Sequence, residues 1–144
     1  MESRITALEF AELYAQYNLV ARTMQKMLTK VGKLPLAQYY VLLMLSKSPQ
    51  LRMGDISQVM SISRPNLTPL IDKLVIKGYV LREADAHDRR ITYVSITETG
   101  RNVLNRENMA ICKSIEKKLG HLSDTDLNTV VNSLNVLMQI SEKV

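Results

Sequence analysis

Residues 81–100 constrain the fold more than any other stretch of this chain. A run rich in β-formers, Tyr79-Val80-Leu81-Arg82, gives way to the charged segment Asp85-Ala86-His87-Asp88-Arg89-Arg90, and Ile91-Thr92-Tyr93-Val94-Ser95-Ile96 then leads straight into Thr97-Glu98-Thr99-Gly100. β-Branched and aromatic residues on both sides of a polar tip read as a two-stranded hairpin over residues 79–84 and 91–96, with Ala86-His87-Asp88 at the tip. Immediately upstream, residues 53–79 hold two short apolar-periodic segments parted by Met60-Ser61-Ile62-Ser63, the pattern of a helix-turn-helix. A helix-turn-helix that runs directly into such a hairpin predicts a winged DNA-binding unit.

The rest of the chain reads as helices around that unit. Leu13, Tyr14, Tyr17, Val20, Ala21, Met24, Met27, Leu28 and Val31 recur at spacings of three and four, which predicts one long amphipathic helix over residues 5–31 that stops at Gly32. Leu34-Pro35 opens a second helix with Pro in its first turn and Leu36, Tyr39, Tyr40 and Leu43 as its inner face, and Ser48-Pro49 closes it. Residues 55–60 form a short third helix. Ser63 is placed to cap a fourth, held inward by Leu67, Leu70, Ile71, Leu74 and Val75 and ended at Gly78. Thr97 caps a fifth helix with inner positions Gly100, Val103, Leu104, Ile111, Ile115 and Leu119, ending at Gly120. Ser123, with Asp126 three residues on, starts a sixth, whose stripe is Leu127, Val130, Val131, Leu134, Leu137 and Met138.

The expected fold class is therefore mainly α with a small β-hairpin wing: a winged helix-turn-helix domain at residues 34–98, flanked by dimerisation helices at 1–33 and 99–144. All of it is one unit, since 144 residues are about one domain's length. Long apolar stripes at both ends of a small domain need a cover, and a second copy in a twofold homodimer supplies one.

Composition narrows the function. A net charge of +5 suits a polyanionic partner, and residues 52–101 carry eight basic against six acidic groups whereas residues 102–144 carry five of each, so the surplus lies away from the C-terminal third. No apolar run approaches the roughly 18–20 residues of a membrane span and no signal-peptide order opens the chain, so the expected location is the cytoplasm, with no membrane partner. Cys112 is the only cysteine and its apolar neighbours predict a buried structural thiol. His87 and His121 are the only histidines, no Gly-rich phosphate loop is present, and no His/Cys cluster has metal-ligand spacing, so neither an enzyme, a metal site nor a cofactor is expected.

Asp55-Ile56, Ser63-Arg64-Pro65, Leu70-Ile71-Asp72-Lys73-Leu74, Lys77-Gly78-Tyr79-Val80, Arg82, Asp88-Arg89-Arg90 and Ile96-Thr97-Glu98-Thr99-Gly100 together resemble, in order and spacing, the MarR family of bacterial winged-helix transcription regulators. The resemblance implies a homodimer joined by its terminal helices, docked as a repressor on a palindromic operator and relieved by a small-molecule effector. Two positions depart from the usual pattern. Ser61 stands where the turn often has Gly, which is tolerable if the backbone there is not strongly left-handed. Pro69 lies inside the expected recognition helix, where either the helix begins near Asn66 or it is kinked.

A recognition helix reads bases with the side chains of its N-terminal half, because the major groove, about 12 Å wide, admits one helix. The candidates for double-stranded DNA are Ser63, Arg64, Pro65, Asn66, Thr68 and Lys73, with Arg64 suited to guanine, Asn66 to adenine and Pro65 to a thymine methyl. In the wing, Arg90 is expected to enter the minor groove, with Asp88 and Arg82 as its holders and Arg89 on a phosphate. Tyr14, Tyr17, Met24, Tyr39, Tyr40 and Met44 are candidates for binding a small aromatic effector, against the plain alternative of a hydrophobic core. The rival function is a winged-helix module that binds protein without specific DNA binding, which the charge of Arg64, Lys73, Lys77, Arg82, Arg89 and Arg90 disfavours.

Overall fold

The computed structural model describes residues 5–29, 32–141 and 143, without the side chains of Met24 and of residues 27–29. The elements follow in the order α1 (Ala7–Thr29), α2 (Leu36–Ser46), β1 (Leu51–Arg52), α3 (Met53–Met60), α4 (Arg64–Ile76), β2 (Val80–Ala84), β3 (Thr92–Ile96), α5 (Glu98–Leu119) and α6 (Asp124–Ser141). This is the expected mainly helical winged fold, with one addition. β1 pairs antiparallel with β3, so the wing is a three-stranded sheet in the order β1-β3-β2, with Leu51 opposite Val94 and Arg52 opposite Tyr93. Two residues are too few to show period-two alternation, so nothing in the sequence marks this strand.

The core joins α2, α3, α4, β2, β3 and the start of α5: Val41, Leu42, Leu45, Met53, Ile56, Leu67, Ile71, Leu74, Val80, Val94, Val103 and Leu104 are buried together. The inner face expected for α2 is corrected here. Gln38, Val41, Leu42 and Leu45 are buried, whereas Leu36, Tyr39 and Leu43 are half-buried and Tyr40 is exposed. An almost wholly apolar helix offers several faces of similar hydrophobicity, and contact with α4, β3 and α5 selects among them. Val75 likewise turns outward from α4.

The turn between α3 and α4 is left-handed at Ser61, with φ 52°, contrary to the condition under which a serine there is free of strain. The Ser61 and Ile62 amides reach back to the Gln58 and Ser57 carbonyls at 3.1 Å, and Ser57 Oγ donates to the Ile62 carbonyl at 2.6 Å, so the turn is over-determined by hydrogen bonds. Left-handed backbone costs a non-glycine residue about 1 kcal/mol. Ser61→Gly is therefore expected to raise the thermal midpoint by about 2–8 °C; a calorimetric scan showing no rise would count against strain at this turn.

α4 starts at Arg64, so Pro69 stands past its first turn and the helix does not begin near Asn66. Pro65 and Pro69 are both exposed on the helix surface, so the Pro65 carbonyl that loses its amide partner lies toward solvent rather than in the core. Ser63 occupies the N-cap position, but its side chain makes no capping bond; its carbonyl accepts from the Asn66 and Leu67 amides instead.

α4 closes in a Schellman arrangement, Gly78 N–H to the Val75 carbonyl and Tyr79 N–H to the Leu74 carbonyl at 2.9 Å each, with Gly78 at φ 71°. The wing then returns to this point. Thr97 Oγ1 accepts from Gly100 N–H at 3.0 Å as the expected cap of α5, and donates to the Gly78 carbonyl at 2.6 Å. A Cβ on Gly100 would sit 2.1 Å from the Tyr79 carbonyl oxygen, which explains the glycine at this junction.

Beyond Leu104, α5 leaves the core. Cys112 is exposed rather than buried, because the expectation rested on apolar neighbours along a helix whose buried stretch ends one-third of the way down. Gly120 does cap α5, but with right-handed φ −63°. Ser123 and Asp126 form the expected capping box, Ser123 Oγ to Asp126 Oδ2 at 2.7 Å and Asp126 N–H to Ser123 Oγ at 3.1 Å. Neither α1 nor α6 buries any described side chain.

Candidate nucleic-acid interface

α4 and the wing form the two walls of a cleft of about 360 Å³. Core residues Leu67, Ile71 and Leu74 hold α4 inward, so the opposite side of the same helix presents Ser63, Arg64, Pro65, Asn66, Thr68 and Lys73 to solvent. Arg64 and Thr68, one turn apart, line the cleft; Arg82 from β2 and Arg90 from the hairpin loop face them from the wing. Ser63, Pro65, Asn66, Lys73 and Arg89 are exposed outside it.

The hairpin loop is built by two aspartates. Asp85 Oδ1 accepts from the His87 and Asp88 amides at 2.8 and 2.9 Å, and Asp88 Oδ1 accepts from the Arg90 amide at 2.9 Å. The Asp88 and His87 amides hold the Asp85 carboxyl below its ordinary range. Asp88 therefore anchors the backbone of Arg90 and not its guanidinium, which corrects the expected side-chain pair.

The role expected for Arg82 is corrected as well. Its Nη1 pairs with Asp72 Oδ1 of α4 at 2.7 Å, tying α4 to the wing. Both partners are more than one-third exposed, where an ion pair contributes about 0.2–1 kcal/mol and is screened by salt, so its main effect is on the relative placement of the two walls. Asp72 has no counterpart in sequence-local patterns, since its partner is ten residues away across a turn. Lys77 does not extend the cationic face: its Nζ donates to the buried Gln38 Oε1 at 3.0 Å and lies 5.9 Å from the Tyr79 ring centroid.

Sequence reasoning missed Arg52, which lines the same cleft from β1, beside Asp55 of α3. A single arginine between a helix and a two-residue strand leaves no periodic signal. Four arginines, Arg52, Arg64, Arg82 and Arg90, thus converge from four elements on a cleft that also contains the Asp55 carboxylate.

The effector candidates fall into two groups. Tyr14 and Tyr17 are exposed on α1 in a stack with Phe10, at centroid separations of 6.2 and 6.5 Å. On α2, Tyr39 and Tyr40 lie 5.7 Å apart, and the Tyr39 hydroxyl donates to Asn108 Oδ1 of α5 at 2.9 Å. Burial raises the Tyr39 phenol above its ordinary value. Met44 is half-buried against the core, and the side chain of Met24 lies outside the described residues. Among the described residues no group of three or more His, Cys, Asp or Glu is placed to hold a metal ion, and no helix is long and apolar enough to cross a membrane.

Residues 33–91 match a family model described as the MarR family. The transcriptional activatory protein BadR of Rhodopseudomonas palustris is 32% identical over 139 residues, 94% of this chain and 77% of that protein. Among solved structures, wild-type MarR from E. coli in its apo form superposes with a TM-score of 0.77 at 20% identity, over 87% of this chain and 96% of that one. Sco3205 from Streptomyces coelicolor, a MarR family transcriptional regulator solved in complex with DNA, gives 0.69 at 21% identity over 96% and 91%.

Proposed function

The chain belongs to the MarR family, and from that premise we propose that it is a DNA-binding transcription regulator that works as a homodimer on an inverted-repeat operator. The observation that carries the reading is the arginine-lined cleft between an exposed recognition helix and an aspartate-braced wing. Arg64, Asn66 and Thr68, on the exposed side of α4, are assigned to base edges in the major groove, with Ser63, Pro65 and Lys73 flanking them. Arg90 is assigned to the minor groove, Arg89 to a phosphate, Asp88 to bracing the loop and Arg82 to holding the wing against α4.

Residues 34–98 are the DNA-reading part, and residues 1–33 and 99–144 the dimerisation helices. The support for the second assignment is apolar surface: Leu8, Phe10, Leu13 and Leu19 of α1 and Val131, Leu134, Leu137 and Met138 of α6 are all exposed in the single chain. Large apolar side chains left exposed in this number on two helices favour an interface. The site of action is the cytoplasm, and no catalytic role is assigned.

Repression is the proposed outcome where the operator overlaps a promoter, since the bound dimer then occupies the polymerase's site. BadR, named as an activator, supports transcriptional control but the opposite sign of it. A small aromatic effector on the tyrosines of α1 and α2 relieves binding in this reading, supported by the exposed rings of Tyr14 and Tyr17 and by Tyr39 bridging α2 to α5.

Selection of bound sequences from a random duplex pool tests the reading. The expected product is an inverted repeat with half-sites about one helical turn, roughly 34 Å, apart, released on titration with small phenolic acids. A pool that stays unenriched would refute sequence-specific binding and favour a winged-helix protein-interaction module. Retention of the duplex across the phenolic acids would refute the effector.

A further inference from the structure

Arg52 belongs to neither the recognition helix nor the wing tip, yet it shares their cleft. Its backbone is fixed on two sides. It pairs opposite Tyr93 of β3, and it is the N-cap residue of α3, which begins at Met53. Directly opposed residues of an antiparallel pair carry their side chains on one face of the sheet. The Arg52 guanidinium carbon accordingly lies 5.9 Å from the Tyr93 ring centroid, within the distance at which the ring's negative face attracts a cation.

The acidic groups near Arg52 are Asp55, in the first turn of α3, and Asp85, at the start of the hairpin loop. The Asp85 carboxylate is engaged by the His87 and Asp88 amides. Arg52 is exposed at the edge of the cleft to which Arg64, Arg82 and Arg90 add positive potential, with its side chain on the Tyr93 face of the sheet.

A winged unit with its helix in the major groove and its wing in the adjacent minor groove straddles the sugar-phosphate backbone dividing the two grooves. The cleft between α4 and the wing is the surface that meets that backbone. We propose that Arg52 is a phosphate-contacting residue that sets how the winged unit sits astride the DNA backbone, with Tyr93 as the positioning residue that holds its guanidinium. The planar fork of an arginine matches a phosphate with two parallel hydrogen bonds, and its seat at a strand-helix junction leaves little motion to be lost on binding. This inference rests on the DNA-binding reading above and adds to it a contact outside the recognition helix and the wing tip.

The test is a salt titration by fluorescence anisotropy on both the selected operator and a random duplex, with circular dichroism to check folding. Each phosphate neutralised contributes about 0.9 to the slope of log K against log salt. Arg52→Gln, which removes the charge but keeps a polar side chain, is expected to flatten that slope by about 0.9 per half-site and to weaken both duplexes by the same factor. Arg52→Lys should restore the slope, because the charge returns. Tyr93→Leu should weaken binding severalfold with the slope retained, because the charge stays but loses its seat.

A slope unchanged in folded Arg52→Gln, or a loss confined to the operator, would overturn the phosphate assignment, since a purely structural or base-reading residue leaves one of those marks. Unaltered affinity in Tyr93→Leu would overturn the positioning role. Failure of the unaltered protein to bind any duplex would instead remove the DNA reading itself, and this inference with it.

Discussion

Leu134→Asp combined with Leu137→Asp is expected to leave the winged domain folded, convert the proposed homodimer to a monomer and weaken operator binding by about 10²–10⁴-fold. α6 buries no side chain in its own chain, and Val130, Val131, Leu134, Leu137 and Met138 are 37–63% exposed along it. The core of the winged part lies entirely between Val41 and Leu104, so charges on α6 reach none of it. In a twofold interface every substitution acts twice, and each carboxylate buried without a partner costs several kcal/mol. A monomer then holds one half-site without the high effective concentration that linkage to a second half-site provides. Sedimentation and operator anisotropy read the two effects separately. A folded variant that stays dimeric would take α6 out of the interface, and a monomer with undiminished operator affinity would remove dimerisation from the mechanism.

Arg90→Ala is the second large effect: operator affinity at fixed salt should fall at least about tenfold, equivalent to roughly 1.4 kcal/mol, with the melting temperature nearly unchanged. The side chain is exposed on the loop and lines the cleft, so its removal opens no cavity. The loop itself survives, because the bond to Asp88 Oδ1 comes from the Arg90 backbone amide, which alanine retains. The loss should be larger on an operator whose flank is A·T-rich than on random duplex, since a narrow minor groove concentrates negative potential on an inserted arginine. Unaltered operator affinity in the folded variant would reduce Arg90 to a solvated residue of the tip. Arg90 and Arg52 are thus expected to part company, one sensitive to groove shape and the other indifferent to it.

Several features of the site were legible in the chain because they are local. The Thr97 cap, the stop at Gly78 and the Ser123–Asp126 box each involve groups within five residues of one another, and residue type at fixed spacing is enough to read them. The exposed half of α4 was equally readable, since Leu67, Ile71 and Leu74 mark the buried side and leave Arg64, Asn66 and Thr68 on the other. Where the fold departs from the sequence reading, the determining contact is distant. The sequence makes Arg82 a holder of Arg90 beside Asp88, but the fold sets it against Asp72 of a neighbouring helix, and a separation of ten residues says nothing of their 2.7 Å approach. The face of α2 was misassigned for a related reason: Leu36-Ala37-Gln38-Tyr39-Tyr40-Val41-Leu42-Leu43-Met44-Leu45 is apolar almost all round, and only the arrangement of its neighbours selects Val41, Leu42 and Leu45.

The sequence by itself therefore determined the order and kind of the main elements, the hairpin after the helix-turn-helix and the identity of the arginines available to a polyanion. These follow from backbone sterics, periodic hydrophobicity and short-range hydrogen bonding, which act over a few residues. Tertiary structure alone decided that Arg52, Arg64, Arg82 and Arg90 share one cleft, and that Leu51–Arg52 completes the sheet. It also decided that Cys112 and the stripe of α6 remain uncovered by their own chain. Those outcomes depend on which surfaces meet when helices and strands close on a common core, and packing of that kind is settled by the shapes of all the partners at once.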